Sequence, residues 1–379
     1  MAMIGGGRGS FIGAVHRMAA ALDGQIELVA GAFSADPECS RLTGQDLFLD
    51  ADRVYPDYVT MLEKESLQPV DKKVDVISIV TPNHLHTAPA LMALERGFDV
   101  VLEKPMAFSL QEAILLDKKR KETGRELLLC HTYTGYPMVK EARARIANGE
   151  LGIIRKIYGE YPQGWLHTFL ENTQHKQADW RTDPARSGAA GAIGDIGTHI
   201  FNLIEYVSGL QVHQLCADVN TVVTGRKLDD DGAALLRFNN GASGVLMATQ
   251  VAAGEENKIC IRVYGDKGGL EWHQQDPNTL LLKWPDRPAE IVRTGTSYVS
   301  EAARHNTRVP AGHPEGYLEA FGNLYRNFAL FLRAKASGQT PSVVVADYPG
   351  TTEGVRGMAF IECMINSSRS SKKWTDLTV

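Results

Sequence analysis

The stretch MAMIGGGRGSFIGAVH, residues 1–16, decides how the first domain is read. A short apolar run, residues 1–4, meets a glycine cluster that leads directly into a helix-like segment, residues 14–22. Glycine suits such a junction because a backbone without Cβ lets a pyrophosphate approach the amide groups at a helix N-terminus. The pattern is Gly5-x-Gly7 with an irregular third position, where Ser10 stands and the next glycine, Gly13, comes late. A glycine-rich surface turn reads the same in isolation, so the surrounding pattern has to distinguish them. The apolar run at residues 1–4 also makes a short first strand, against about five or six residues in a typical one.

Outward from the loop, apolar β-branched runs at residues 26–33, 74–80, 100–102 and 127–130 alternate with helix-like stretches such as 85–96. That alternation describes an α/β fold, a Rossmann-type doubly wound parallel sheet. After Cys130 the pattern changes to a helix at 137–148, a strand with alternating faces at 153–161 and a helix at 195–207. Residues 235–249 read as a hairpin turning at 239–241, and closing helices are predicted at 317–336 and 352–368. A chain of 379 residues favours two domains. The expected division is a dinucleotide-binding domain over 1–131 and an α/β domain with an open, mainly antiparallel sheet over 132–379.

A formal net charge of −5, with 22% charged residues, provides no basic field for nucleic acid or an anionic membrane. A small-molecule partner is expected instead. The five cysteines, Cys39, Cys130, Cys216, Cys260 and Cys363, are scattered and never form a Cys-x-x-Cys pair. They predict a reduced, cytoplasmic compartment. No apolar run approaches the roughly 18 to 20 residues that span a bilayer, and residues 1–10 lack a signal-peptide pattern.

Two further segments sit where parallel strands end, the edge at which open α/β sheets bind ligands. Thr81, Pro82, Asn83 and His86 follow one apolar strand, and Glu103, Lys104 and Pro105 follow the next. At the end of the second strand, NAD-binding domains usually place an acid on the ribose hydroxyls. Here Ser34 stands there, the nearest acid is Asp36, and Ala35 offers no arginine for a 2′-phosphate, so NAD and NADP both stay open.

In order, the glycine loop, T-P-N-x-x-H at residues 81–86, E-K-P at 103–105 and S-G-x-x-G-x-x-G-D-I-G-T-H at 187–199 resemble the Gfo/Idh/MocA family of glucose–fructose oxidoreductase and inositol dehydrogenase. The resemblance spans nearly the whole chain. It implies a nicotinamide cofactor held by Gly5, Gly7, Arg8, Gly9, Ser10, Phe11 and Ile12, with Ser34 at the ribose. Thr81, Pro82, Asn83, His86, Glu103 and Lys104 complete that set. It implies a homodimer or homotetramer, and it matches Lys104, Asp195 and His199 to the family's catalytic residues. The longer glycine loop and the missing acid are departures that bear on cofactor choice.

Asp195 and His199 stand four residues apart on a predicted helix, which projects both from one face beside a stripe of Ile196, Ile200, Leu203 and Val207. Histidine titrates near neutrality, so His199 is assigned as general base, with Lys104 as an ammonium on the developing alkoxide and Asp195 orienting a hydroxyl or the imidazole. Lys104 and His199 could exchange the base role. Trp165, Trp180 and Arg181 lie in an aromatic and polar stretch, 163–187, suited to a sugar or polyol, or else to plain core packing. Arg304 and Arg308 would suit an anionic sugar if they face the site. His84 and His86 lack a third ligand at suitable spacing, so no metal is expected. The reading is a NAD(P)-dependent sugar or polyol dehydrogenase. An NAD-dependent glycoside hydrolase is the alternative, and a non-catalytic sugar or dinucleotide sensor the third.

Overall fold

A computed structural model describes residues 1–171, 173 and 175–379. The first elements are β1 (Ala2–Gly5), α1 (Phe11–Ala21), β2 (Ala30–Ala32), α2 (Pro37–Asp46) and α3 (Tyr58–Ser66). They continue with β3 (Val76–Val80), α4 (Thr87–Glu95), β4 (Asp99–Leu102), α5 (Leu110–Thr123) and β5 (Leu127–Leu129). The strands form a parallel sheet in the order β2-β1-β3-β4-β5. Every residue of β3 is buried, as a central strand covered on both faces requires. With β2 and β3 on opposite sides of β1, the chain reverses direction across the sheet there, and the crevice beyond those carboxyl ends is a ligand position.

Two boundaries differ from the sequence expectation. Strand β2 is shorter than 26–33 because its ladder partner β1 offers only Ala2, Met3 and Ile4 for pairing. Helix α4 begins after residue 85 because Pro82 leads into a 3-10 turn, Asn83–Leu85.

The chain goes on through α6 (Pro137–Ala147), β6 (Ile154–Pro162), α7 (Lys176–Arg181), α8 (Pro184–Ser187), a π turn (Ile193–Gly197) and α9 (Thr198–Ser208). Then come β7 (Val212–Asn220), β8 (Asp231–Phe238), β9 (Ser243–Thr249), β10 (Cys260–Gly265), β11 (Gly269–His273), β12 (Thr279–Lys283) and β13 (Glu290–Arg293). The last elements are α10 (Glu301–His305), α11 (Tyr317–Ala336), α12 (Thr351–Arg369) and β14 (Thr375–Asp376). The second sheet runs β13-β12-β11-β10-β6-β9-β8-β7-β14 and is antiparallel except where β6 pairs with β9. Strand β8 alternates buried and open positions, the mark of a sheet with one covered face. The expected stripe of Ile196, Ile200, Leu203 and Val207 is buried. Gly159 of β6 lets α9 approach closely, since a Cβ there would come within 2.6 Å of Ile204.

The chain forms two compact units, Met1–Cys130 with Phe321–Val355 and His131–Ala320 with Arg356–Val379. A single cut after residue 131 therefore does not describe the C-terminal part: residues 321–355 return to the first unit. They are tied there by the Tyr325 hydroxyl, 3.0 Å from Ser78 Oγ, and by the Leu129 N–H donating to Pro349 O at 2.8 Å. Among the described residues, no helix is long and apolar enough to cross a membrane.

Candidate active site

The glycine loop leaves β1 with left-handed backbone at Gly5 and Gly9, φ 84° and 73°, and enters α1 through Ser10, whose hydroxyl accepts from Gly13 N at 3.4 Å. The late third glycine has a clear task, because a Cβ on Gly13 would lie 2.3 Å from Gly6 Cα. It is the close-packing position between strand and helix. The N-terminal turn of α1 contains no acidic residue and stands at the crevice of the sheet, so its amides fit a pyrophosphate. Arg8 is held by Asp46 through two hydrogen bonds of 2.6 and 2.7 Å, Phe11 is exposed and Ile12 half-buried. Ser34 accepts from Asp36 N at 3.1 Å, and the Asp36 carboxylate accepts from Glu38 N as the cap of α2.

His86 joins the two strand-end segments. Its ring nitrogens lie 2.9 Å from Thr81 O and 2.8 Å from Pro105 O, and burial lowers its pKa against the pull of those carbonyls. It orders the Thr81–Pro82–Asn83 turn against the Glu103–Lys104–Pro105 turn. Behind Lys104 runs a buried chain: Ser78 and Tyr325 hydroxyls, then His16 Nδ1 at 2.6 Å from Tyr325, then His16 Nε2 at 2.8 Å from Glu103 Oε1. Glu103 Oε2 accepts from the backbone N–H of Lys104 at 3.2 Å. Burial works to raise the Glu103 carboxyl, but the His16 hydrogen bond and the nearby Lys104 charge bring it below its ordinary value. Glu103 is thus an anchored carboxylate, and Lys104 itself is half-buried.

In the second unit, Asp195 lies on the π turn and His199 on α9, so their four-residue spacing crosses a change of helix type rather than one uniform helix. The π turn closes with Thr198 N donating to Ile193 O. His199 is buried and edge-on to His131 and Tyr133, with ring centroids at 5.4 and 5.0 Å, and Tyr161 lies at 6.3 Å. Burial raises both phenols, which therefore stay protonated. Asp195 Oδ2 accepts from Gln250 Nε2 at 2.9 Å and pairs with Arg181 Nε at 3.4 Å.

From Asp195 the polar contacts continue without a break. Gln250 Nε2 donates to Gln163 Oε1 at 3.4 Å, Gln163 Nε2 to Asn257 Oδ1 at 2.6 Å, and Asn257 Nδ2 to Tyr133 Oη at 3.1 Å. Tyr161 donates to Asn257 Oδ1 at 2.7 Å and meets the Tyr133 hydroxyl. Trp165 joins through Nε1 to Gln163 Oε1 at 3.1 Å. Trp180 carries the Arg181 guanidinium over its ring at 4.2 Å, and through that arginine it backs Asp195. Gln163, Gln250, Asn257, Tyr133 and Tyr161 escaped the sequence reading. Tyr161 lies near the end of β6, Gln163 and Gln250 directly follow strands, Asn257 precedes β10 and Tyr133 lies in a 3-10 turn, none within a local motif, although the aromatic stretch began at Gln163.

The two arginines considered for an anionic sugar bond protein groups nearby in the chain. Arg304 donates to Val299 O and Ser297 O at 2.5 and 3.3 Å, and Arg308 donates to Glu319 O at 3.0 Å and pairs with Glu315. These contacts tie the chain around α10 together and to the start of α11.

Residues 1–131 match the oxidoreductase family with an NAD-binding Rossmann fold, and residues 139–271 match the GFO/IDH/MocA C-terminal domain. The chain is 31% identical to the uncharacterised oxidoreductase YfiI of Bacillus subtilis (strain 168), covering 99% of this chain and 96% of that one. A crystal structure of an inositol dehydrogenase homolog complexed with NAD+ from Azotobacter vinelandii is 36% identical, with a TM-score of 0.94 over 99% of this chain and 96% of that one. The same homolog has been solved with NADH and myo-inositol, at 35% identity and a TM-score of 0.91 over 99% and 96% of the two chains. Levoglucosan dehydrogenase of Pseudarthrobacter phenanthrenivorans is 26% identical over 81% of each chain. The parallel sheet with its glycine loop therefore defines an NAD-binding oxidoreductase of Rossmann type. More narrowly, the chain belongs to the Gfo/Idh/MocA oxidoreductase family.

Proposed function

We propose that the protein is a dehydrogenase of an uncharged sugar or polyol, with His199 as base, Lys104 as the cation on the substrate oxygen and Asp195 as the acceptor of a neighbouring hydroxyl. The observation that carries this reading is the unbroken run of amide, phenol and carboxylate contacts from Asp195 to Tyr133 beside His199. Such a lining offers both donors and acceptors, and its one carboxylate, Asp195, is balanced by Arg181. The myo-inositol and levoglucosan in the names of the relatives agree with it.

NAD, which the glycine loop at Gly5–Gly9 and the first turn of α1 would hold, would supply the hydride acceptor for the carbinol carbon. The chain's own groups handle the proton and the charge. The His199 imidazole takes the hydroxyl proton, the Lys104 ammonium stabilises the oxygen as negative charge grows, and Asp195, fixed by Gln250 and Arg181, holds the ring in one orientation.

The test is a panel of cyclitols, sugars and glycosides offered with NAD and NADP separately, following reduced nicotinamide and released aglycone together. Stoichiometric reduction with a polyol supports the dehydrogenase. Aglycone release without net reduction moves the assignment to the glycosidase, and no turnover across the panel sinks the reading.

A further inference from the structure

We propose that Asp229, just before β8, is the positioning residue for Asp195 and His199, holding the start of the π turn that carries Asp195 and runs directly into α9, where His199 stands. The proposal rests on the reading of those two residues as reacting groups.

A helix leaves its first backbone N–H groups without partners. Here three consecutive ones are delivered to a single residue: Gly191 N to Asp229 Oδ1 at 2.6 Å, Ala192 N to the Asp229 carbonyl at 2.9 Å and Ile193 N to Oδ2 at 2.8 Å. A Cβ on Gly191 would lie 2.2 Å from the Asp229 carbonyl oxygen, so glycine is what admits this approach. Gly191 O in turn accepts from Asp195 N at 2.8 Å, which puts the anchor one peptide group away from Asp195. A π turn has one more residue per hydrogen-bonded ring than an α turn, so the point at which it begins sets the direction of every side chain after it. Asp229 fixes that point.

The anchor is itself held. The Asp230 carboxylate accepts from Val222 N, Val223 N and Arg226 Nη1 at 2.7, 3.0 and 3.0 Å. Arg226 also donates to Leu166 O and Thr168 O, on either side of His167 in the stretch that carries Trp165. The Asp230 carbonyl accepts from Gln250 N at 2.8 Å, and the Gln250 side chain binds Asp195. Asp195 is therefore reached from residues 229 and 230 by two routes. Burial pushes the Asp229 carboxyl up to about 6 against the amide hydrogen bonds, so near neutral pH both oxygens are ionised acceptors.

Asp229→Asn keeps the volume and one carbonyl oxygen but turns an NH2 group toward a backbone N–H. It should lower kcat on the best polyol substrate about ten- to hundredfold, the scale of a small misplacement of reacting groups. The KM for that polyol should change far less than kcat, dinucleotide affinity should hold within about twofold, and the His199 imidazole resonances in labelled protein should shift. Gly191→Ala attacks the same contact from the other side and is expected to give the same split; it carries the test should Asp229→Asn fail to fold. A folded variant with wild-type kcat and unmoved His199 resonances overturns the proposal. So does a loss of kcat matched by an equal loss of dinucleotide affinity. If the wild-type protein oxidises no polyol, the dehydrogenase reading fails, while the His199 resonances still report on the positioning.

Discussion

Around His199 the chain sets two phenols that burial keeps protonated and a second imidazole edge-on, so the ring has polar neighbours carrying no permanent charge. Asp195 is the nearby carboxylate, and Gln250 and Arg181 fix its Oδ2. His199→Ala and Lys104→Ala should each lower turnover by about two or more orders of magnitude, the usual scale for acid–base and charge-stabilising groups. Dinucleotide affinity should change far less with His199→Ala; a folded His199→Ala enzyme with near wild-type turnover would remove the residue from the chemistry. Asp229 gives a second, opposite readout. Its folded pKa of about 6 is raised by burial above the ordinary value, so it binds a proton more tightly folded than unfolded. Its contribution to stability is largest in acid and is lost as pH rises through about 6. The difference in Tm between wild type and Asp229→Asn should therefore move in favour of wild type from pH 8 to pH 5, and the opposite trend in paired melts would contradict the assigned shift.

Among the elements, the junction of β1 and α1 shows how one sequence irregularity resolves into ordinary geometry. The loop is lengthened, yet Gly13 still occupies the place where helix and strand backbones touch, with Gly6 Cα as its neighbour. Gly13→Ala should cost about 1–3 kcal/mol through overpacking and weaken dinucleotide binding by displacing the amides of the first turn. Calorimetry with NAD checks both, and unchanged Tm and affinity would show that α1 can move away without consequence. The π turn makes a complementary point. A helix is expected from residue 195, but its start is capped by an acceptor 36 residues downstream of Ile193, beyond reach of a local capping rule.

On the scale of the whole molecule, the returning segment 321–355 completes the dinucleotide-binding unit. Phe321 packs edge-on to His16 with ring centroids at 4.6 Å, Tyr325 bonds His16 and Ser78, and Thr351 donates to Asp117 at 2.6 Å. A fragment of residues 1–131 would expose the surface these residues cover and leave His16 without its hydroxyl partner. It should show no cooperative thermal transition, whereas the full chain should melt cooperatively. A fragment that melts cooperatively and binds NAD would overturn this account. The pairing of β6 with β9 likewise joins distant stretches in parallel, which gives the second sheet its breadth.

The sequence by itself determined the parallel sheet, the glycine loop, the strand-end motifs and the stripe of α9, because each is written in neighbouring residues at a strand or helix period. It also determined Lys104, Asp195 and His199 as candidates, since motif residues travel together along the chain. Only the tertiary structure decided what surrounds them. Tyr325 meets His16 across 309 positions, and Asn257 meets Tyr133 across 124. Arg304 bonded the carbonyls before α10 and Arg308 a carbonyl of α11, and Asp229 reached back to a helix start that no local pattern tied to it. A polar side chain must find a partner once buried, but which partner depends on where the backbone folds it, and that is a property of the packed chain.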